Sequence, residues 1–505
     1  MHYTSTRNSN IRISAAEAVI NGISPDGGLY LPCEIPQAGL DFIENLVNAG
    51  YNERALKILE LFLEDFTACD GDTRLDELAG YIEGAYGGGK FDSPDIAPVV
   101  NLYGSVHMLE LWHGPTSAFK DMALQLLPYL MTGSSRKTGN GSEIVILVAT
   151  SGDTGKAALE GFADVPDTKI IVFYPNNGVS RMQKLQMTTQ EGGNVGVIAI
   201  NGNFDDAQNG VKAIFTDEKI NALLNENKMA FSSANSINWG RLVPQIVYYF
   251  SAYCDLVKKE AIKLGDKINF TVPTGNFGNI LAAYYAKEMG LPVNRLICAS
   301  NANNVLTEFF DTGFYNRKRD FYTTVSPSMD ILISSNLERL LYELSDRDDG
   351  YIRDIFASLA EKGEYTVNEK VLNGMKNMFS GGFCDDRATE AAIRETFEKY
   401  NYLCDTHTAV GVRVYEEYRK KTGDAAPCVI ASTANPYKFP ESVLRAVKRA
   451  DPESYDEFGM ASELEGLTKI KAPEQLTGLK NKNERFNITC EKDSMNKELL
   501  KILGL

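Results

Sequence analysis

Histidine is scarce in this 505-residue sequence: there are four, His2, His107, His113 and His407, and none has a metal-ligand partner at i+4. The eight cysteines stand singly with no Cys-x-x-Cys pair, which suggests neither a disulfide framework nor a zinc site. Positive charge is in deficit. With 51 Lys and Arg against 67 Asp and Glu the net charge is -16, so nucleic acid and anionic membrane would be repelled. A small anionic substrate is not excluded, because a few basic groups and helix N-termini can make a local positive site. Long apolar runs are also missing. Ile144 to Ala149 is strand-sized and too short to cross a bilayer. The opening residues, Met1-His2-Tyr3-Thr4-Ser5-Thr6-Arg7, lack the apolar core of a signal peptide. The expectation is a cytoplasmic, metal-free protein.

The hydrophobic fraction of 44% and charged fraction of 23% are those of a globular chain, with room for about three domains. Residues 1–92 read as a helical domain, with Leu56, Leu59, Leu61, Phe62 and Leu63 as an apolar face. The run Gly84-Ala85-Tyr86-Gly87-Gly88-Gly89, followed by Ser93-Pro94, marks its end. From 93 to about 440 short β-branched runs alternate with amphipathic segments. Strands are predicted at Ile144–Thr150, Lys169–Tyr174, Val195–Ile200, Ile268–Thr274, Arg295–Ala299 and Cys428–Ser432. Helices are predicted at Asp205–Asp217, Trp239–Lys259 and Asn279–Met289. Apolar strands separated by helices indicate an α/β fold with buried parallel sheet, and a smaller subdomain is expected over roughly 120–230. Residues 441–505 read as a C-terminal helical tail, exposed or docked.

One lysine stands out. Lys120 lies between Phe119 and Met122, after the turn-rich His113-Gly114-Pro115-Thr116-Ser117-Ala118 and before a helical run. Such a lysine ordinarily snorkels to water. If it is desolvated instead, its pKa falls and the free amine becomes a nucleophile, as a Schiff-base lysine requires.

Ligands of open α/β sheets bind at the carboxyl ends of strands, and three such turns are rich in small and polar residues. Thr150-Ser151-Gly152-Asp153-Thr154-Gly155-Lys156 offers hydroxyls and a carboxylate, but Thr150 and Ala157 break the P-loop pattern at both ends. Pro273-Thr274-Gly275-Asn276-Phe277-Gly278-Asn279 opens a helix without a lysine, so a phosphate there would rest on backbone N–H groups and the Asn276 and Asn279 amides. Ser432-Thr433-Ala434-Asn435-Pro436 carries hydroxyls where a neutral ring nitrogen could be met. Each also reads as an ordinary turn when taken alone.

Taken together, His113 to Asp121, Tyr3 to Arg7, Ser24 to Tyr30, Ala149 to Gly155, Pro273 to Asn279, Asp405 to Gly411 and Ser432 to Ala434 resemble, in order, the motifs of the threonine synthase family. The resemblance implies a fold type II pyridoxal-phosphate enzyme, related to the tryptophan synthase β subunit, with two open parallel-type sheets. It implies conversion of O-phospho-L-homoserine and water to L-threonine and phosphate, a carbon–oxygen lyase reaction ending threonine biosynthesis. By the same resemblance Lys120 is the cofactor lysine and catalytic group. Gly275, Asn276, Phe277, Gly278 and Asn279 bind the cofactor phosphate, Thr433 faces the pyridine nitrogen, and Asp153 passes near the ring hydroxyl. Thr116, Ser151, Thr154, Asn238 and Arg241 are the implied substrate contacts, Lys184 a further basic candidate and His407 a candidate proton carrier. The partner is the small substrate, in a monomer or homodimer. The sequence departs from the family where Asn435-Pro436 stands for a frequent His-Pro and Thr406-His407 for a frequent Pro-His; Asn435 cannot titrate near neutral pH. A lyase of the same fold releasing a 2-oxo acid is the alternative.

Overall fold

Two sheets, one parallel and one parallel but for an edge strand, carry the architecture of this computed structural model, which describes residues 1–67, 77–139, 141–150, 152–177, 179–449, 452 and 455–505. The larger sheet has six strands in the order Phe379–Phe383, Val293–Ser300, Ile268–Pro273, Cys428–Ser432, Val106–Glu110 and Val99–Tyr103. All of its pairings are parallel except the last, which is antiparallel. The smaller sheet is all parallel, in the order Ile488–Glu491, Val195–Asn201, Thr168–Pro175, Glu143–Ala149 and Met229–Ser232. All six strands predicted from apolar runs are present, and the helices Phe204–Thr216, Trp239–Lys258 and Gly278–Glu288 fall on the predicted segments. Ile268–Pro273 is buried at every position, as a strand covered on both faces must be.

Residues 1–92 are not purely helical. A three-stranded antiparallel sheet, Asn8–Ile13, Tyr3–Ser5 and Tyr30–Pro32, stands beside the helices. These strands are three to six residues long, and Tyr3–Ser5 and Tyr30–Pro32 are buried throughout, so neither displays an alternating pattern. The expectation of a helical tail at 441–505 is corrected in the same way. Glu457–Thr468 and Met495–Leu503 are helices, but Ile488–Glu491 adds an edge strand to the smaller sheet. Leu499 and Leu503 are buried with Val145, Ile171 and Ile198 in one apolar cluster, and Leu464 joins Val443 and Leu444 in another. The segment is built into the protein and not merely appended to it. Among the described residues no helix is long and apolar enough to cross a membrane.

Three strand ends carry the polar turns found in the sequence. Glu143–Ala149 leads into helix Asp153–Phe162, Ile268–Pro273 into helix Gly278–Glu288, and Cys428–Ser432 into the turn Thr433–Asn435.

Candidate active site

Lys120 is placed by a clasp between two distant segments. Ala118 bridges Ala434, the Phe119 N–H donates to the Thr433 carbonyl at 2.8 Å, and the Asn435 N–H donates to the Ser117 carbonyl at 3.0 Å. The lysine therefore sits at the carboxyl end of strand Cys428–Ser432. It is 9% exposed, its ammonium lies 4.9 Å from the Phe119 ring centre, and it donates to Ser328 Oγ at 3.3 Å. Burial pushes its pKa down to about 8; Asp153 opposes the shift, while Lys438 and Arg241 add to it.

Asp153 begins helix Asp153–Phe162 and is buried between two lysines. Its Oδ2 is 4.0 Å from Lys120 Nζ and its Oδ1 is 3.1 Å from Lys438 Nζ. Gln183 Nε2 also donates to Oδ1, at 3.3 Å. Burial alone would raise this carboxyl's pKa, but the Lys438 and Lys120 ammoniums outweigh it and hold it below the usual carboxylate range. Gly152 precedes it at φ 141, and a Cβ there would come within 2.3 Å of Gln183 Nε2. Ser151 lies outside the described residues. Thr154, the next helical residue, is half-buried.

The loop Gly275–Asn279 forms a nest of donors. Among the described residues, no acceptor meets the backbone N–H of Gly275, Asn276, Phe277, Gly278 or Asn279. Five successive unpaired donors at a helix N-terminus suit an anion. Phe277 holds a left-handed φ of 65, and its ring is fixed between Phe310 and Phe379 at 6.0 and 5.9 Å. A Cβ on Gly275 would meet the Ser328 carbonyl oxygen at 2.6 Å, so only glycine fits. The Asn279 amide is turned away from any phosphate: Nδ2 donates to the Pro273 carbonyl at 2.9 Å and Oδ1 accepts from the Ile280 N–H. That corrects the expectation that both asparagine side chains hold the anion.

The two hydroxyls after strand Cys428–Ser432 divide their work. Ser432 Oγ accepts from Trp112 Nε1 at 3.0 Å and lies within hydrogen-bond distance of the Tyr402 and Thr408 hydroxyls, at 3.2 and 3.3 Å. Thr433 is 5% exposed and its hydroxyl has no partner among the described residues. Thr433 is thus the hydroxyl left for a ligand.

Other expected contacts are committed elsewhere. The Thr116 hydroxyl donates to Asp121 Oδ1 at 2.7 Å. Asn238 spends its Nδ2 on the Val19 and Ser233 carbonyls, both at 2.9 Å, and its Oδ1 caps helix Trp239–Lys258 through the Gly240 N–H. Neither offers a free group to a substrate. Lys184 Nζ donates to Asn176 at 3.2 Å. Both ring nitrogens of His407 are also engaged: Nδ1 meets Asp405 at 2.9 Å and Nε2 accepts from the Ser328 N–H at 3.1 Å. Arg241 differs. It is buried, one Nη donates to the Ala234 carbonyl at 2.6 Å, and its Nε has no partner among the described residues. Burial lowers its pKa to about 10, so it stays charged and is available to an anion.

Two residues of this cluster were not singled out in the sequence. Ser328 sits against Lys120, and Lys438, fully buried, donates to the Thr116 carbonyl at 2.7 Å and to Gln186 at 3.3 Å besides pairing with Asp153. The only sequence signal for Lys438 is a lysine inside the apolar stretch Tyr437–Phe439, just past a strand end. A cleft of about 520 Å3 beside Trp112, Tyr402 and Tyr437 is not part of the site; neither Lys120, Asp153 nor the donor loop lines it.

Comparison with known proteins gives the family. Family models described as Threonine synthase N terminus, Pyridoxal-phosphate dependent enzyme, and Threonine synthase, C-terminal, match residues 2–86, 100–367 and 408–497. The chain is 39% identical to threonine synthase of Pseudomonas aeruginosa, over 88% of this chain and 90% of that protein. It is 41% identical to threonine synthase-like 1 of Homo sapiens over 86% of this chain, but spans only 58% of that relative's length. The crystal structure of PLP-bound threonine synthase from Brucella melitensis superposes with a TM-score of 0.86 at 37% identity, covering 99% of each chain.

Proposed function

Because the chain belongs to the threonine synthase family, a fold type II pyridoxal-phosphate family, we propose that it converts O-phospho-L-homoserine and water to L-threonine and phosphate. The observation that carries this reading is the pairing of a desolvated Lys120 amine with a loop of five unpaired backbone donors, two features that the aldehyde and the phosphate of pyridoxal phosphate would meet. When bound, the cofactor supplies an electron sink for carbanions of the substrate. The residues supply placement and proton transfer. Lys120 would hold the cofactor and move the proton at the substrate Cα, and a pKa of about 8 gives it a far larger neutral, nucleophilic fraction near neutral pH than an exposed lysine has, though still a minority. Gly275 to Asn279 would hold the cofactor phosphate by backbone N–H groups, and Thr433 the pyridine nitrogen through its hydroxyl. Asp153 would remain a carboxylate throughout, held so by Lys438. Arg241, with its Nε unpaired, is the best-supported contact for the substrate phosphate.

With this reading we propose a cytoplasmic enzyme, monomeric or homodimeric; the seven cysteines among the described residues are free thiols, as a reducing compartment favours. The test is a product assay on O-phosphohomoserine. Threonine and phosphate in equal amounts support the proposal; 2-oxobutyrate, ammonia and phosphate without threonine would overturn it in favour of a simple elimination.

A further inference from the structure

Two carbonyls of the donor loop are gripped from outside it. Ser334 Oγ donates to the Gly275 carbonyl at 2.8 Å. Asn336 donates twice to the Asn276 carbonyl, from Nδ2 at 3.0 Å and from its backbone N–H at 3.2 Å. In a trans peptide the C=O and the following N–H point in opposite directions. Fixing those two carbonyls therefore turns the N–H groups of Asn276 and Phe277 to the opposite side of the loop, where they are unpaired. A flip of either peptide would present a carbonyl oxygen to the anion and exchange attraction for repulsion.

The two anchors are themselves held. The Ser334 N–H donates to Tyr315 Oη at 2.9 Å, and Asn336 Oδ1 accepts from Arg339 at 2.5 Å. Arg339 extends the hold to the Tyr30 and Ile237 carbonyls, at 2.9 and 2.6 Å. Ser334, Asn336 and Arg339 are 3%, 0% and 0% exposed. Three separate parts of the chain thus converge to fix the orientation of two peptide planes.

We propose that Ser334 and Asn336 are positioning residues that aim the loop's N–H groups at the phosphate of pyridoxal phosphate, acting through the Gly275 and Asn276 carbonyls. The inference rests on the reading of this loop as the cofactor phosphate site. A phosphate-selective readout separates it from a general packing role: the affinity of the full chain for pyridoxal phosphate and for pyridoxal, which lacks the phosphate, followed by visible absorbance. Ser334→Ala removes a single oxygen. Asn336→Asp keeps the acceptor for Arg339 and the backbone N–H donor but removes the Nδ2 donor, which serves the Asn276 and Ser236 carbonyls. Each should weaken pyridoxal phosphate about tenfold and leave pyridoxal within about twofold of wild type, while Ser334→Thr, retaining the hydroxyl, should restore pyridoxal phosphate affinity. Equal weakening of both compounds, or no weakening of pyridoxal phosphate, would overturn the proposal. If wild-type protein itself showed no preference for the phosphorylated compound, the loop's assignment would fall first, and the positioning role with it.

Discussion

Lys438 offers the sharpest test of how the candidate site is held together. Its side chain is fully buried and pairs with Asp153 at 3.1 Å. Replacing it with methionine keeps the length but leaves the Asp153 carboxylate with Lys120 at 4.0 Å and one Gln183 amide at 3.3 Å. The Thr116 carbonyl loses its ammonium donor as well. Removing one member of a buried ion pair costs about 3–5 kcal/mol, chiefly because the other charge remains desolvated. Asp153→Asn strands the lysine in the same way. The double variant removes both charges, so its loss should be smaller than the sum of the two single losses by at least about 1.5 kcal/mol. Urea unfolding of the four proteins at constant pH completes the cycle. Additivity within about 0.5 kcal/mol would refute the coupling. A second consequence runs through Lys120. Losing the neighbouring cation should raise its pKa above about 8 and slow its capture of pyridoxal phosphate at neutral pH.

Borohydride reduction of the cofactor-loaded protein should place the pyridoxyl group on Lys120, and capture should rise with pH to a midpoint near 8; label on Lys156 or Lys184, or a midpoint near that of an exposed lysine, about 10.4, would refute the assignment. Gly275→Ala, whose methyl would meet a backbone oxygen at 2.6 Å, should cost about 1–3 kcal/mol and release the cofactor on dialysis, and full retention would count against the loop. Thr433→Asp should change the visible spectrum and depress turnover while Thr433→Ser stays near wild type, and equal mild effects would show that residue 433 does not touch the ring. His113, flanked by Asp92 and by Glu110 at 3.0 Å, has its pKa raised to about 9: burial opposes the rise and the two carboxylates outweigh it. The protonated pair therefore stabilises fully below about pH 6.5 and is lost as pH rises through 9, so His113→Gln should cost up to about 3 kcal/mol at pH 6 and little at pH 10; equal losses at both would refute it.

Much of the frame was readable because buried strands are rich in apolar and β-branched residues: Ile144 to Ala149 is an unbroken apolar run, and Ile268 to Pro273 carries Ile268, Phe270 and Val272 at alternate positions. Edge strands escaped. Phe379–Phe383 contains two glycines, yet Gly381 is required because a Cβ there would lie 2.9 Å from the Thr307 Cα. Ile488–Glu491 pairs with Val195–Asn201 across almost three hundred residues, a partnership that no local pattern encodes. The site divides along the same line. Lys120, Asp153 and the Gly275 loop lie in contiguous motifs and were singled out from them as candidates. Lys438, Ser328, Ser334 and Asn336 act through contacts between remote segments, and in sequence they look like ordinary polar residues near turns.

Net charge was a guide to partners but not to the site. At physiological ionic strength exposed charges are screened beyond about 8 Å, so most of the carboxylates behind the charge of -16 hardly reach the buried cluster. Within it the balance is reversed. Lys120 and Lys438 flank the carboxylate of Asp153 and Arg241 acts on Lys120, while Asp121 is occupied by Thr116 and Asp405 by His407 and Thr408. Adding the unpaired N–H groups of Gly275 to Asn279 leaves two places that favour an anion, Arg241 and the loop. On the proposed reading these are the places of two phosphates, one of the cofactor and one of the substrate. The same desolvation that makes each anion contact strong also lowers the Lys120 pKa, so ligand binding and lysine activation have one physical origin.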